Sequence, residues 1–298
     1  MKILWHTLVV GPKTSYHLEA QMLLISLLAN RSLGDRVRIG TDQCAYYRWL
    51  EPLGLEVEEI TSTRIQQWID ARPVGTDAYF FRAKLARCAE MAVAEPDFAC
   101  AWVDTDAIAT GDLSSLNVRL EAGVCLMHRA EDHYRDGNSK AERAYFKILS
   151  RRSFAGIAAK ADSRQWNSGV LAVPAGQGEK LKLALTVLDE MMQVRGLGRT
   201  LEQVAAGLAL EQTGSLESCD RQILHYWANR KQWHDFAQQI LFKALATSGN
   251  VEAVLRLWRE LQADSFPAER APRPSRAERR KRRIRKHLGL LAPCEKAC

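Results

Sequence analysis

The 298-residue chain has no uninterrupted apolar run near the roughly 20 residues that a bilayer-spanning helix requires. Its apolar start, MKILWHTLVVG, is expected to be a buried strand rather than a leader: it carries a single Lys, places His6 inside the run and lacks a small-x-small cleavage site. There is no Cys-x-x-Cys pair. The seven cysteines, Cys44, Cys88, Cys100, Cys125, Cys219, Cys294 and Cys298, are odd in number and scattered through apolar segments, so neither a disulfide frame nor a thiolate zinc site is expected. No internal repeat is present. A basic excess is missing too, outside one segment. The net charge is +7, but residues 267–298 hold 11 Lys or Arg against three Glu, a balance of +8, so residues 1–266 are left near −1. The main body therefore offers no electrostatic case for nucleic-acid binding. A cytoplasmic location is the expectation.

What is there is a pattern of alternating strands and helices in a chain that is 47% apolar. Lys2–Val10, Arg36–Thr41, Leu55–Ile60, Ala99–Val103, Gly123–Met127 and Ser168–Val173 read as strands. Tyr16–Asn30 and Ala83–Ala94 read as helices, as do the segments marked by Leu181, Leu185, Leu188 and Met192 and by Leu201, Val204, Ala205 and Leu208. The polar stretch Arg129–Asp162 reads as a long loop with some helix. This order predicts an α/β fold with a mixed, mainly parallel central sheet flanked by helices. Phe236–Ala246 and Val251–Ala263 read as a closing helical pair. The expected domains are 1–235, the helical pair at 236–266 packed on it, and a basic Pro/Arg-rich tail at 267–298, with a helix over 275–290.

Three motifs carry chemistry. In Trp102-Val103-Asp104-Thr105-Asp106 an apolar strand ends in two carboxylates one residue apart. Ligands of open α/β sheets bind at the carboxyl ends of strands, and two carboxylates there suit a hard divalent cation such as Mn²⁺ or Mg²⁺. The same triplet also arises in ordinary surface turns. Asn167-Ser168-Gly169 feeds a second apolar strand with short polar groups and a glycine that admits close backbone approach; an ordinary loop is the competing reading. In His225-Tyr226-Trp227-Ala228-Asn229-Arg230-Lys231-Gln232-Trp233, an imidazole can complete a metal site and a lysine can meet a phosphate. Trp166 and Trp233 flank these motifs, which makes them candidate sugar-stacking surfaces.

Taken in order, these motifs resemble the family 8 glycosyltransferases, which include glycogenin and bacterial lipopolysaccharide galactosyltransferases. The match covers roughly residues 1–235: Asp104-Thr105-Asp106, then Asn167-Ser168-Gly169-Val170, then an acidic-Gln pair, Glu202-Gln203, and last the run from His225 to Trp233. The resemblance implies a GT-A fold with C-terminal helices and a metal-dependent, retaining hexosyltransferase. Asp104, Asp106 and His225 would ligate Mn²⁺ or Mg²⁺. Lys84, Asp104, Asn167, Ser168, Gly169 and Lys231 would bind the donor, with Arg87 as the competing choice to Lys84. Glu202 and Gln203 would sit at the catalytic face. The donor would be a nucleotide-diphospho-sugar, UDP-linked in this family; the acceptor could be a glycan, a lipid-linked sugar or a protein.

Some positions depart from the family. Glu202 stands where it has Asp, Ala228 where it has Gly and Gln232 where it has Pro. Thr14 and Tyr16 reproduce only part of its nucleotide-binding turn. The basic segment 270–286 has ten basic residues and one acidic residue, which reads as a solvated extension or as an anchor on an anionic membrane at the inner face. Two other classes remain as alternatives: a haloacid-dehalogenase-like phosphatase, from the Asp-x-Asp after a strand, and a non-catalytic nucleotide-sugar- or membrane-binding protein.

Overall fold

Ile3–Val9 (β1) is buried at every position, as an apolar strand covered on both faces must be. The computed structural model describes residues 1–69, 80–136, 140–160, 162–194, 200–248, 250–261 and 263–270. The helix expected over 275–290 lies outside them, as does the basic segment beyond Arg270.

After β1 come α1 (Thr14–Asn30), β2 (Arg36–Thr41), β3 (Leu55–Glu59), α2 (Ser62–Ile69), α3 (Phe81–Ala94), β4 (Ala99–Val103), β5 (Ala107–Ala109), α4 (Ser114–Glu121) and β6 (Cys125–His133). The second half holds α5 (Lys140–Leu149), the short pair β7 (Ser153–Phe154) and β8 (Ile157–Ala158), β9 (Arg164–Val173), α6 (Gly178–Met192), α7 (Leu201–Thr213), β10 (Leu216–Ser218), β11 (Ile223–His225), α8 (Arg230–Ser248) and α9 (Glu252–Glu260).

The seven-stranded sheet runs β10-β6-β9-β4-β1-β2-β3. β1, β2, β3 and β4 are mutually parallel, β10 is parallel to β6, and β9 is antiparallel to both of its neighbours. The expected α/β class and mixed, mainly parallel sheet are therefore present. β6 and β9 are longer than their apolar cores suggested. Their outer halves pair with each other through Asn167↔Arg129 and Arg164↔His133, across two register shifts. Backbone pairing, not apolar alternation, holds those polar positions in strand.

Two cores sandwich the sheet, and side-chain alternation splits each strand between them. Ala99, Ala101 and Val103 of β4 join the core under α1, α8 and α9, whereas Cys100 and Trp102 join the one under α3, α6 and α7. Asp35 ties the entrance of β1 to α4: its Oδ1 accepts from Ile3 N (2.8 Å) and from Asn117 Nδ2 (3.0 Å). α8 and α9 pack against α1. Because α8 begins at Arg230, it runs through the boundary expected at 235, and the helical pair is continuous with the segment that carries Lys231. Among the described residues no helix is long and apolar enough to cross a membrane.

Candidate metal centre

β4 stops at Val103 because the chain turns there: Asp104 N donates to Gly169 O (2.8 Å) and Ala107 N to Asp104 O (3.1 Å). The turn is followed at once by β5, which pairs antiparallel with β11 and sets Ala107 opposite His225. This short ribbon carries His225 to the end of the sheet where Asp104 and Asp106 lie. One ligand atom from each of Asp104, Asp106 and His225 falls within 4.8 Å of the others.

Hydrogen bonds show what the group is built to hold. Asn167 Oδ1 accepts from Gly169 N (2.9 Å), so that atom is fixed as an acceptor. It lies 3.0 Å from His225 Nδ1, which must therefore be the donor. The other ring nitrogen, Nε2, faces Asp106 Oδ1 at 3.1 Å. With Nδ1 protonated, a neutral His225 would set a lone pair against a carboxylate oxygen. That pairing is favourable only with positive charge between the two atoms, either a second ring proton or a metal ion. A histidine oriented through one nitrogen so that the other faces an ion is the usual arrangement at metal sites. The donor set of two carboxylates and one imidazole fits Mn²⁺, and Mg²⁺ less well. Gly169 makes room for the ring: a Cβ there would lie 2.3 Å from His225 Nδ1. His128 stands edge-on to His225, centroids 5.2 Å apart. Burial, then the nearby His225 and Arg129, push its pKa down to about 3, so it is a neutral wall.

Asp104 is held from the α3 side. Positions i and i+2 of a strand share a face, so Trp102 can donate its Nε1 to Asp104 Oδ1 (2.6 Å). Lys84 Nζ donates to the same oxygen (2.8 Å), to Ser168 O (2.5 Å) and to Ser168 Oγ (3.1 Å). Ser168 Oγ lies 3.4 Å from Glu202 Oε1, and Glu202 is only 5% exposed. Asp106 is held from the other side. Arg230 donates to its Oδ2 through Nη2 (2.6 Å) and Nε (3.2 Å). Burial opposes ionisation of Asp106, but His225 and Arg230 outweigh it and hold the carboxyl well below the usual range.

The structure thus gathers Lys84, Asp104, Asp106, Asn167, Ser168, Gly169, Glu202 and His225 into one cluster. Gln203 follows Glu202 on α7 and is half-buried; Lys231 is exposed on the first turn of α8. Arg87 lies elsewhere. It is fully buried, donates to Glu58 Oε2 (2.9 Å) and has its Cζ 2.8 Å from where a Cβ on Gly40 would sit. Trp166 and Trp233 are core residues, not stacking surfaces. Trp166 is 5% exposed and donates to Glu211 (2.8 Å), and Trp233 stacks on Tyr226 at 4.5 Å. Sequence reasoning missed Trp102, Arg230 and Glu19. Arg230 was visible inside the His225 run; the partner that gives it meaning was not.

Neither a protein-family model nor a curated protein sequence matches the chain. Solved structures do, among them the apo form of mouse xyloside xylosyltransferase 1, at 14% identity and a TM-score of 0.49, over 82% of this chain and 93% of that one.

Proposed function

We propose that the protein is a metal-dependent glycosyltransferase that moves a sugar from a nucleotide-diphospho-sugar, UDP-linked, to an acceptor with retained stereochemistry. The carrying observation is the confrontation of His225 Nε2 and Asp106 Oδ1 beside Asp104, at the carboxyl end of β4. Asp104, Asp106 and His225 would hold Mn²⁺ or Mg²⁺. When bound, the ion supplies Lewis-acid neutralisation of the diphosphate leaving group.

The chain's own residues complete the site. Asn167 orients the imidazole, and Trp102 and Lys84 orient Asp104. The first turn of α8 presents the exposed Lys231, a cation at the end of a helix where its dipole disfavours it; an anionic ligand such as a diphosphate relieves that conflict. Glu202, joined to the Lys84–Asp104 pair through Ser168, and Gln203 after it would face the transferred sugar. Tyr16 lies near the same end, with Arg230 Cζ 5.7 Å from its ring centre, which brings the turn after β1 within reach of a nucleotide.

Purified protein with Mn²⁺ and UDP-sugars is expected to release nucleoside diphosphate slowly and to melt at higher temperature with the matching donor. Asp106→Ala should abolish both effects. Failure of every UDP- and GDP-sugar to stabilise the protein in Mn²⁺ sinks the reading. Turnover of generic phosphomonoesters would favour a phosphatase instead.

A further inference from the structure

Arg230 holds the oxygen of Asp106 next to the one that faces His225. Both oxygens of Asp106 are engaged, Oδ1 facing His225 and Oδ2 gripped twice by the Arg230 guanidinium. An ion bound to Asp104, Asp106 and His225 would share this carboxylate with a fixed positive charge only a few ångströms away, in a site where Asp106 is 5% exposed and screening is weak. Each charge therefore weakens the other's hold on Asp106.

A second seat for the guanidinium is already present. Glu19, on α1, has a side chain with no exposed surface, and its Oε1 lies 3.5 Å from Arg230 Nε and 2.6 Å from His234 Nε2. Its Oε2 is buried and has no hydrogen-bond partner among the described residues. A buried carboxylate oxygen without a donor is costly, and Arg230 is near enough to supply one. The Arg230 side chain is 38% exposed and lies over the Tyr16 ring, so it has room to turn between the two carboxylates.

We propose that Arg230 is a positioning residue that acts as a resident counter-cation: it neutralises Asp106 in the empty site, competes with the divalent ion for that carboxylate and transfers to Glu19 when the ion binds. The inference rests on the metal-site reading above. It assigns Glu19 a role that its burial alone would not suggest, and it makes free-ion affinity a quantity set by the exchange between two carboxylates.

The test is Mn²⁺ binding by the full-length chain, read from the electron paramagnetic resonance signal of unbound Mn²⁺ and needing no turnover. Arg230→Met, which keeps the apolar stem and removes the charge, is expected to bind Mn²⁺ about tenfold more tightly than the wild type. Arg230→Lys should fall between them. Glu19→Gln should move the affinity the other way, because Arg230 then loses its second seat and stays on Asp106. Asp106→Asn serves as the control. If Asp106→Asn lowers Mn²⁺ affinity but Arg230→Met and Arg230→Lys do not raise it, the role of Arg230 is overturned and the metal site stands. If Asp106→Asn binds Mn²⁺ as the wild type does, the metal site itself falls, and the inference with it. Weakened binding in Arg230→Met would also overturn the proposal.

Discussion

The two ends of the parallel strands carry charged clusters of opposite character. At the amino-terminal end, Arg36 and Arg38 of β2 meet Glu56 of β3 and Glu95 before β4, with ion pairs of 2.5, 2.6, 2.8 and 2.7 Å. Burial works against the charged form of Glu56 and of Glu95, but the hydrogen bonds from Arg36 and Arg38 win and lower both carboxyls. Every contact there joins a donor to an acceptor. At the carboxyl-terminal end, His225 Nε2 faces Asp106 Oδ1 at 3.1 Å with Nδ1 already committed to Asn167, so this contact needs a second ring proton or an ion between the two atoms. The first cluster is complete as it stands and fastens strands. The second becomes complete only by gaining positive charge, which is the property of a binding site.

The sharpest way to break this comparison is at Asn167. Asn167→Ala removes the acceptor that fixes the His225 ring, and Mn²⁺ affinity is expected to fall by about 10- to 100-fold, as for other groups that orient a metal ligand. Melting temperature should barely change, since Asn167 is only half-buried. Calorimetric titration of Mn²⁺ checks this, and an unchanged affinity would remove the orienting role. The converse holds at the closed cluster. Glu95→Gln should lower stability by about 1 kcal/mol, a modest figure because these pairs are partly solvated, while leaving Mn²⁺ binding unaltered.

The smallest expected effect is on pH dependence. Glu56 and Glu95 have pKa values lower in the folded chain than in the unfolded one, so the unfolded state takes up protons first as the pH falls. Their contribution is present above the ordinary carboxylate value of about 4.3 and disappears as the pH drops through the lowered values. Between pH 5 and 3 the melting temperature of the wild type should therefore fall more steeply than that of Glu56→Gln/Glu95→Gln. Parallel slopes would mean that the network contributes nothing to acid stability.

Much of the site could be read from the sequence, for reasons that differ by residue. Asp104 and Asp106 follow an apolar strand, and their spacing relative to the strand end needs no tertiary information. Asn167, Ser168, Gly169 and His225 stood out by their residue chemistry, Lys84 and Glu202 entered through the family resemblance, and the fold gathers all six. Arg230 and Glu19 could not be found that way, because their meaning comes from contacts across 124 and 215 residues, to Asp106 and from His234. Trp102 reads as core and is core; its indole N–H matters only because Asp104 shares its face. The strands β5, β10 and β11 have three residues each, too few for alternation to reveal them. β10 exists because the longer β6 offers it hydrogen bonds, and β5 and β11 because they pair with each other.

The reversed direction of β9 has a consequence for how such a molecule can be varied. The chain leaves β6 at His133 and re-enters β9 at Arg164, and these two residues are register partners. Tyr134 N and Ser163 O close the same gap at 3.3 Å. The intervening segment is thus a detour whose two feet are pinned side by side, so its length can change at little entropic cost. Its side chains Tyr134, Tyr145, Leu149, Phe154 and Ile157 are buried in the core with α6 and α7, so the changes are tolerated in its exposed turns and not in those positions. The segment is thus anchored twice, by its paired feet and by its own core side chains.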